Sequence, residues 1–201
     1  MVPARRMMIL LFHPLIHKSR VNRRLATVAG EVEGILIRNM YDIYPDFHVD
    51  VQTEQEFLQQ HDLIIWQHPL YWYSSPSLLK EWIDLVLEHG FAYGRHGRAL
   101  EGKQVMSAIS TGGRREAYLS EGSNRYSIRQ LMAPFDQTVT LCRMQYLPPF
   151  VVHGTHILEE VGIVKAAEDY RQVLTILRDG KAEMELIQEL EYMNEIIQNR
   201  D

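Results

Sequence analysis

Met7-Met8-Ile9-Leu10-Leu11-Phe12 is an unbroken apolar run that stops at His13-Pro14, and Asp62-Leu63-Ile64-Ile65-Trp66-Gln67 repeats the pattern before His68-Pro69. Brief apolar runs closed by a turn are how strands buried on both faces read in a parallel sheet. Outward from these two anchors, a strand fits Gly34 to Tyr41, where Ile35 and Ile37 alternate, and another fits Lys103 to Ser110 before Thr111-Gly112-Gly113. Gln145 to His153 is a fifth candidate, weakened by Pro148-Pro149 because proline cannot donate to a ladder.

Helical patterns fill the gaps. One begins near Val21-Asn22, and a polar helix fits Thr53 to Gln60. Leu78 to Val86 places residues 78, 79, 82, 83 and 86 on one face. Ser127 to Leu141 is helical but interrupted or kinked by Pro134, and Glu159 to Arg178 turns 163, 167, 170, 174 and 177 inward. Strands alternating with helices predict an α/β fold, a doubly wound five-stranded parallel sheet, in one domain over residues 7–179. Asp179-Gly180 sets off a C-terminal helical extension, residues 180–201, striped by Met184, Ile187, Leu190, Met193 and Ile197. That stripe needs a surface to bury against: its own domain, a second subunit or a partner. Residues 1–6 read as a disordered lead, with Met7 or Met8 as an alternative start.

The 201-residue length suits one domain, and a hydrophobic share of 46% is ample for a packed core. A net charge of −5 with both signs interspersed argues against a general nucleic-acid surface. Cys142 is the sole cysteine, so no intramolecular disulfide can form, and it reads as a buried thiol in a reducing compartment. The Met7–Phe12 run is too short for a membrane span or a signal peptide, so a cytoplasmic protein is expected. The nine histidines make no HExxH or zinc-type grouping, and no GxSxG elbow is present.

Ligands of doubly wound sheets gather outside the carboxyl ends of the strands. The first such loop brings His13, His17, Lys18, Ser19, Arg20 and Asn22 to the start of a helix, where unpaired N–H groups favour an anion. Ser19 can donate to a phosphate or simply cap the helix. There is no GxGxxG after this strand and no P-loop motif anywhere. The second loop, Pro69-Leu70-Tyr71-Trp72-Tyr73-Ser74-Ser75-Pro76, is aromatic where a surface loop is ordinarily polar; it can wall a flat ring, or plug a core or an interface. In the third loop Gly112-Gly113 lets backbone approach a ligand, with Tyr118 able to project a hydroxyl over the site.

With these segments in view, the chain resembles the flavodoxin-like NAD(P)H quinone reductase family. Within it, the likeness is nearest to the ancillary subunits of glutathione-regulated potassium-efflux systems. The stretches that carry the likeness are His13-Pro14 with Ser19 and Asn22, Tyr44-Pro45-Asp46-Phe47, Trp66 through Tyr73, Leu78 through Asp84, Gly90-Phe91-Ala92-Tyr93-Gly94, Thr111-Gly112-Gly113 and Leu147-Pro148-Pro149-Phe150. They span roughly residues 7 to 178; the tail has no counterpart among them.

The resemblance implies a homodimer with FMN at its interface and NADPH or NADH as hydride donor to a quinone-type acceptor. On the matched motifs, His13, Ser19, Arg20, Val21 and Asn22 would hold the phosphate and ribityl end, and Pro69, Leu70, Tyr71 and Trp72 would run along the isoalloxazine. Ser110, Thr111, Gly112 and Gly113 would meet its polar edge, with Tyr118 in the catalytic position. Asn124 stands where such reductases often carry a histidine. The resemblance also implies a potassium/proton antiporter at the inner membrane as partner, placing the protein peripherally at the inner face through that contact. The rival readings are a flavin-binding regulatory module with little turnover, an electron-carrier flavodoxin and a flavin-free interaction protein. The carrier reading is disfavoured because such carriers use a Ser/Thr-rich phosphate loop, whereas His13 to Asn22 is basic.

Overall fold

A computed structural model describes residues 4–119, 121–181 and 184–200. Its sheet is parallel throughout, in the order β2-β1-β3-β4-β5, from strands β1 (Met7–Leu11), β2 (Ile35–Asn39), β3 (Leu63–Pro69), β4 (Gln104–Ser110) and β5 (Gln145–Tyr146), with β6 (Phe150–Val152) also pairing with β4. The two central runs read from the sequence are β1 and β3, and every residue of both is buried. Alternate residues of β1 face opposite ways: Met8 and Leu10 enter one core layer, Met7 and Ile9 the other. The expected fifth strand exists as two pieces, β5 and β6. Pro148 and Pro149 between them have no N–H for the ladder, while Leu147 N–H still reaches Val105 C=O at 2.8 Å.

Helices α1 (Arg20–Gly30) and α7 (Glu160–Arg178) cover one face; α3 (Val51–Gln60), α4 (Ser77–Val86) and α6 (Ala133–Leu141) cover the other. A short helix α2 (Met40–Ile43) follows β2, so the expected strand to Tyr41 ends at Asn39. The expected break near Pro134 falls at Met132, between α5 (Ile128–Leu131) and α6. Pro134 sits in the first turn of α6, where its missing N–H costs nothing. All five inward positions predicted on α7 are buried, and Cys142, at the end of α6, is buried with its thiol pushed up to about 11 by desolvation.

The extension was expected to be one helix. It forms a short helix α8 (Met184–Glu189) and then a 3-10 segment, Met193–Arg200. Of the expected stripe, Ile187, Leu190 and Met193 bury against the α1/α7 layer and Met184 and Ile197 are partly buried there, joined by Ile196, so the stripe packs on its own domain. Tyr192 joins the opposite core layer. The extension therefore straddles the β6 edge of the sheet. Of the lead expected to be disordered, residues 1–3 lie outside the described residues. Arg5 N–H bonds to Arg178 C=O at 2.9 Å, and Arg6 pairs with Asp62 at 3.2 Å.

Candidate functional site

The strand order reverses direction between β1 and β3, and the carboxyl ends of β1, β3 and β4 converge beside that point. A cavity of about 320 Å³ opens there. His13, Lys18, Ser19, Arg20 and Val21 line it from the loop after β1, Pro69, Leu70 and Tyr71 from the loop after β3, and Ser110 and Gly112 from the end of β4. A second hollow of about 270 Å³ shares Leu70 and Gly112 with it and adds Trp72, Thr111, Gly113, Tyr118 and Asn124.

The α1 end gathers hydrogen-bond donors. Ser19 is the N-cap, and its Oγ accepts the N–H of Asn22 at 3.1 Å. The hydroxyl proton stays free to donate, so capping and ligand binding are compatible. The N–H groups of Arg20 and Val21 belong to the first turn and have no acceptor within the helix. The Nδ1 of His13 accepts the N–H of Leu15 at 3.1 Å, which leaves the proton of the neutral ring on Nε2. Burial lowers the pKa of this imidazole, favouring that neutral form. Arg20 also reaches outward to Glu160 at 3.8 Å.

Asn22 departs from its expected place. It is 1% exposed and lies behind the cavity wall, where Nδ2 donates to Ser110 Oγ at 2.7 Å. Its backbone carbonyl accepts from Gln67 Nε2 at 3.0 Å. This buried chain ties α1, β3 and β4 together and fixes the Ser110 oxygen at the cavity.

The aromatic loop doubles back on itself: Tyr71 and Ser74 exchange both backbone hydrogen bonds, at 3.0 and 2.9 Å. Trp72 (φ 49°) and Tyr73 (φ 62°) form the tip in the left-handed region, a conformation that costs non-glycine residues about 1 kcal/mol or more each. Tyr71 packs edge-on to His13, with ring centroids 6.3 Å apart. Trp72 is 94% exposed, so it neither plugs this chain's core nor covers the cavity floor.

The two glycines differ in what a side chain would meet. A Cβ on Gly112 would meet His156 Nε2 at 2.5 Å, and one on Gly113 would meet the Tyr118 ring and hydroxyl at 2.9–3.2 Å. Tyr118 ends a 3-10 turn, Arg115–Tyr118, and is 4% exposed. Its hydroxyl is hydrogen-bonded to Thr111 Oγ1, which also accepts the N–H of Gly113 at 3.3 Å.

Thr155 and His156 complete the first cavity and were not anticipated. They follow β6, and the same rule about carboxyl ends that singled out the other three loops applies to theirs. The signal was masked because the prolines made the fifth strand look doubtful. Among the described residues, no group of His, Cys, Asp and Glu could hold a metal ion, and no helix is long and apolar enough to cross a membrane.

Fold and site together define a doubly wound α/β protein with a cavity at the switch point, polar at the α1 end and walled on one side by Pro69, Leu70 and Tyr71. The chain belongs to the flavodoxin-like fold family, whose sequence profile matches residues 5–174. It is 42% identical over 167 residues to the glutathione-regulated potassium-efflux system ancillary protein KefF of Enterobacter sp. (strain 638), covering 83% of this chain and 94% of that one. General stress protein 14 of Treponema denticola, crystallised in complex with FMN, superposes with a TM-score of 0.82 at 34% identity, covering 86% and 99% of the two chains. An NADPH-quinone reductase from P. pentosaceus does so with a TM-score of 0.76 at 32% identity, covering 83% and 96%.

Proposed function

We propose that this protein is an FMN-dependent NAD(P)H:quinone oxidoreductase. The observation that carries the reading is the convergence of a donor-rich helix N-terminus and a cavity lined by Leu70, Tyr71 and Gly112 on one switch point. The residues fit the cofactor on their own chemistry: the Ser19 hydroxyl, His13 Nε2–H, Lys18 and the free N–H groups of Arg20 and Val21 suit a phosphate. Leu70 and Tyr71 offer a ring an apolar face, and Ser110 and the backbone at Gly112 offer its polar edge hydrogen bonds. The cavity and the adjoining hollow together fall in the size range of cofactor sites. FMN, when bound, supplies the ability to accept and return a hydride. The chain's own part is to hold the phosphate, align the ring, and present beside it the bonded Tyr118–Thr111 hydroxyl pair, which has one proton left to donate. The FMN-bound and NADPH-quinone reductase neighbours support this reading.

A second copy of the chain accounts for Trp72. An indole held 94% exposed on a strained turn beside a cavity is placed to be covered by another subunit, giving a homodimer. The efflux-system relative supports a further contact with a potassium/proton antiporter, which would bring the protein to the inner membrane surface. Purification, release of any yellow chromophore and its identification, then NADPH oxidation with a benzoquinone, test the enzymatic reading. A folded preparation that neither carries nor takes up FMN overturns it. Sedimentation of wild type against Trp72→Ala tests the dimer, and copurification with an antiporter tests the partner.

A further inference from the structure

Residues 184–200 lie beyond the stretch that matches the family, yet they reach the element that carries Tyr118. Tyr192, 3% exposed, packs edge-on against His153, with centroids 5.6 Å apart. His153 in turn lies against Tyr118, also at 5.6 Å. Arg115 opens the same 3-10 turn that Tyr118 closes. It pairs with Glu191 at 3.1 Å and Glu195 at 3.4 Å, and its guanidinium lies over the Tyr192 ring at 5.2 Å. Beneath this, Asn194 takes both backbone groups of Val151 on β6: Val151 N–H donates to its Oδ1 at 2.9 Å, and its Nδ2 donates to Val151 C=O at 3.1 Å. Met193 N–H reaches Pro149 C=O at 2.9 Å. An amide side chain here stands in for a neighbouring strand along the open edge of the sheet.

We propose that the C-terminal extension is a positioning element for the Tyr118 turn. Tyr192 backs His153, and Glu191 and Glu195 clamp Arg115, so that the Tyr118 hydroxyl stays on Thr111 in the hollow beside the cavity. The ion pairs are half-exposed and contribute little alone. The aromatic series Tyr192–His153–Tyr118, buried at both ends, is the stronger link. The mechanical part of the proposal stands on the contacts; its effect on turnover rests on the flavin reading above.

Two measurements on the full chain separate these parts. In hydrogen exchange of the protein as purified, Tyr192→Ala speeds exchange of residues 114–119 about fivefold, as loss of one aromatic contact allows, and leaves β1 and α1 unchanged. Tyr192→Phe, which keeps the ring, restores protection. The double variant Glu191→Gln/Glu195→Gln, which spares the core, speeds the same segment about twofold. In benzoquinone-dependent NADPH oxidation, Tyr192→Ala lowers kcat about tenfold with KM for NADPH and FMN uptake near wild type, and the loss disappears in a Tyr118→Phe background. Unchanged exchange at 114–119, or a rise spread equally over every element, overturns the proposal, as does a kcat loss of the same size with Tyr118 already replaced. If wild type takes up no flavin while exchange responds as stated, the flavin reading fails and the positioning role stands.

Discussion

On the proposed function, Ser19 carries two duties that substitution can separate. As N-cap it accepts the Asn22 N–H at 3.1 Å, and its proton remains available to a phosphate in the cavity. Ser19→Ala removes both, whereas Ser19→Gly removes the hydroxyl but keeps most of the capping preference. Loss of the cap costs about 1 kcal/mol in the alanine variant and only a few tenths in the glycine variant. Loss of a hydrogen bond to a charged phosphate costs about 1.5–3 kcal/mol of binding, or roughly 10- to 150-fold in Kd. Both variants should therefore lose FMN affinity by the same factor while differing in urea stability. Quenching of FMN fluorescence on titration with flavin-free protein reads the first quantity, and equilibrium unfolding reads the second. If alanine and glycine variants bind FMN within about twofold of wild type, or if affinity merely follows stability, Ser19 is only a cap.

Three further outcomes follow from the geometry. The fully buried Glu54 carboxylate accepts from Tyr44 at 2.8 Å and from Trp82 at 3.0 Å and pairs with Arg38. Glu54→Ala should cost about 3–5 kcal/mol in urea unfolding by stranding the arginine, and Glu54→Gln less; a loss below about 1 kcal/mol contradicts this. Burial lowers His68 and His153 to about 4, so the unfolded chain binds more protons below the ordinary imidazole value. Stability should be full above about pH 6.5 and decline as pH falls toward 4; an unfolding midpoint flat across that window would contradict the assignment. Gly112→Ala meets only the exposed His156 ring, which can swing aside, whereas Gly113→Ala meets the buried Tyr118. Thermal unfolding should therefore show Gly113→Ala as the more destabilising, by about 1–3 kcal/mol.

The central strands were legible because β1 and β3 are buried on both faces, which leaves a continuous apolar signature in a handful of residues. The inward face of α7 was legible by its period. Other features turn on partners remote in sequence. Glu54 belongs to a helix that reads as polar, and its burial is set by Arg38 on β2 and Trp82 on α4. The resemblance gives Asn22 a place at the phosphate and ribityl end; its side chain instead serves Ser110, 88 positions away. The break in the extension at 190–192 has no glycine or proline to announce it. It follows from Tyr192 crossing to the opposite core layer from Leu190 and Met193.

The same distinction between local and remote organises the site. On the proposed reading, the phosphate end comes from one contiguous segment, 13–22, whose donors are arranged by the Ser19 cap on the Asn22 N–H. The ring end would be assembled from the loops after β3, β4 and β6, where Tyr118 contacts Tyr192 of the C-terminal extension through His153. Changes at Ser19 and at Tyr192 touch no common partner, so their effects should add: one falls on affinity for FMN, the other on turnover once it is bound. A Ser19→Ala/Tyr192→Ala double variant should lose FMN affinity as Ser19→Ala does and kcat as Tyr192→Ala does. Deviation from that product by more than about twofold, in isothermal titration or saturating kinetics, would mean that the two ends of the cavity are one cooperative unit rather than two.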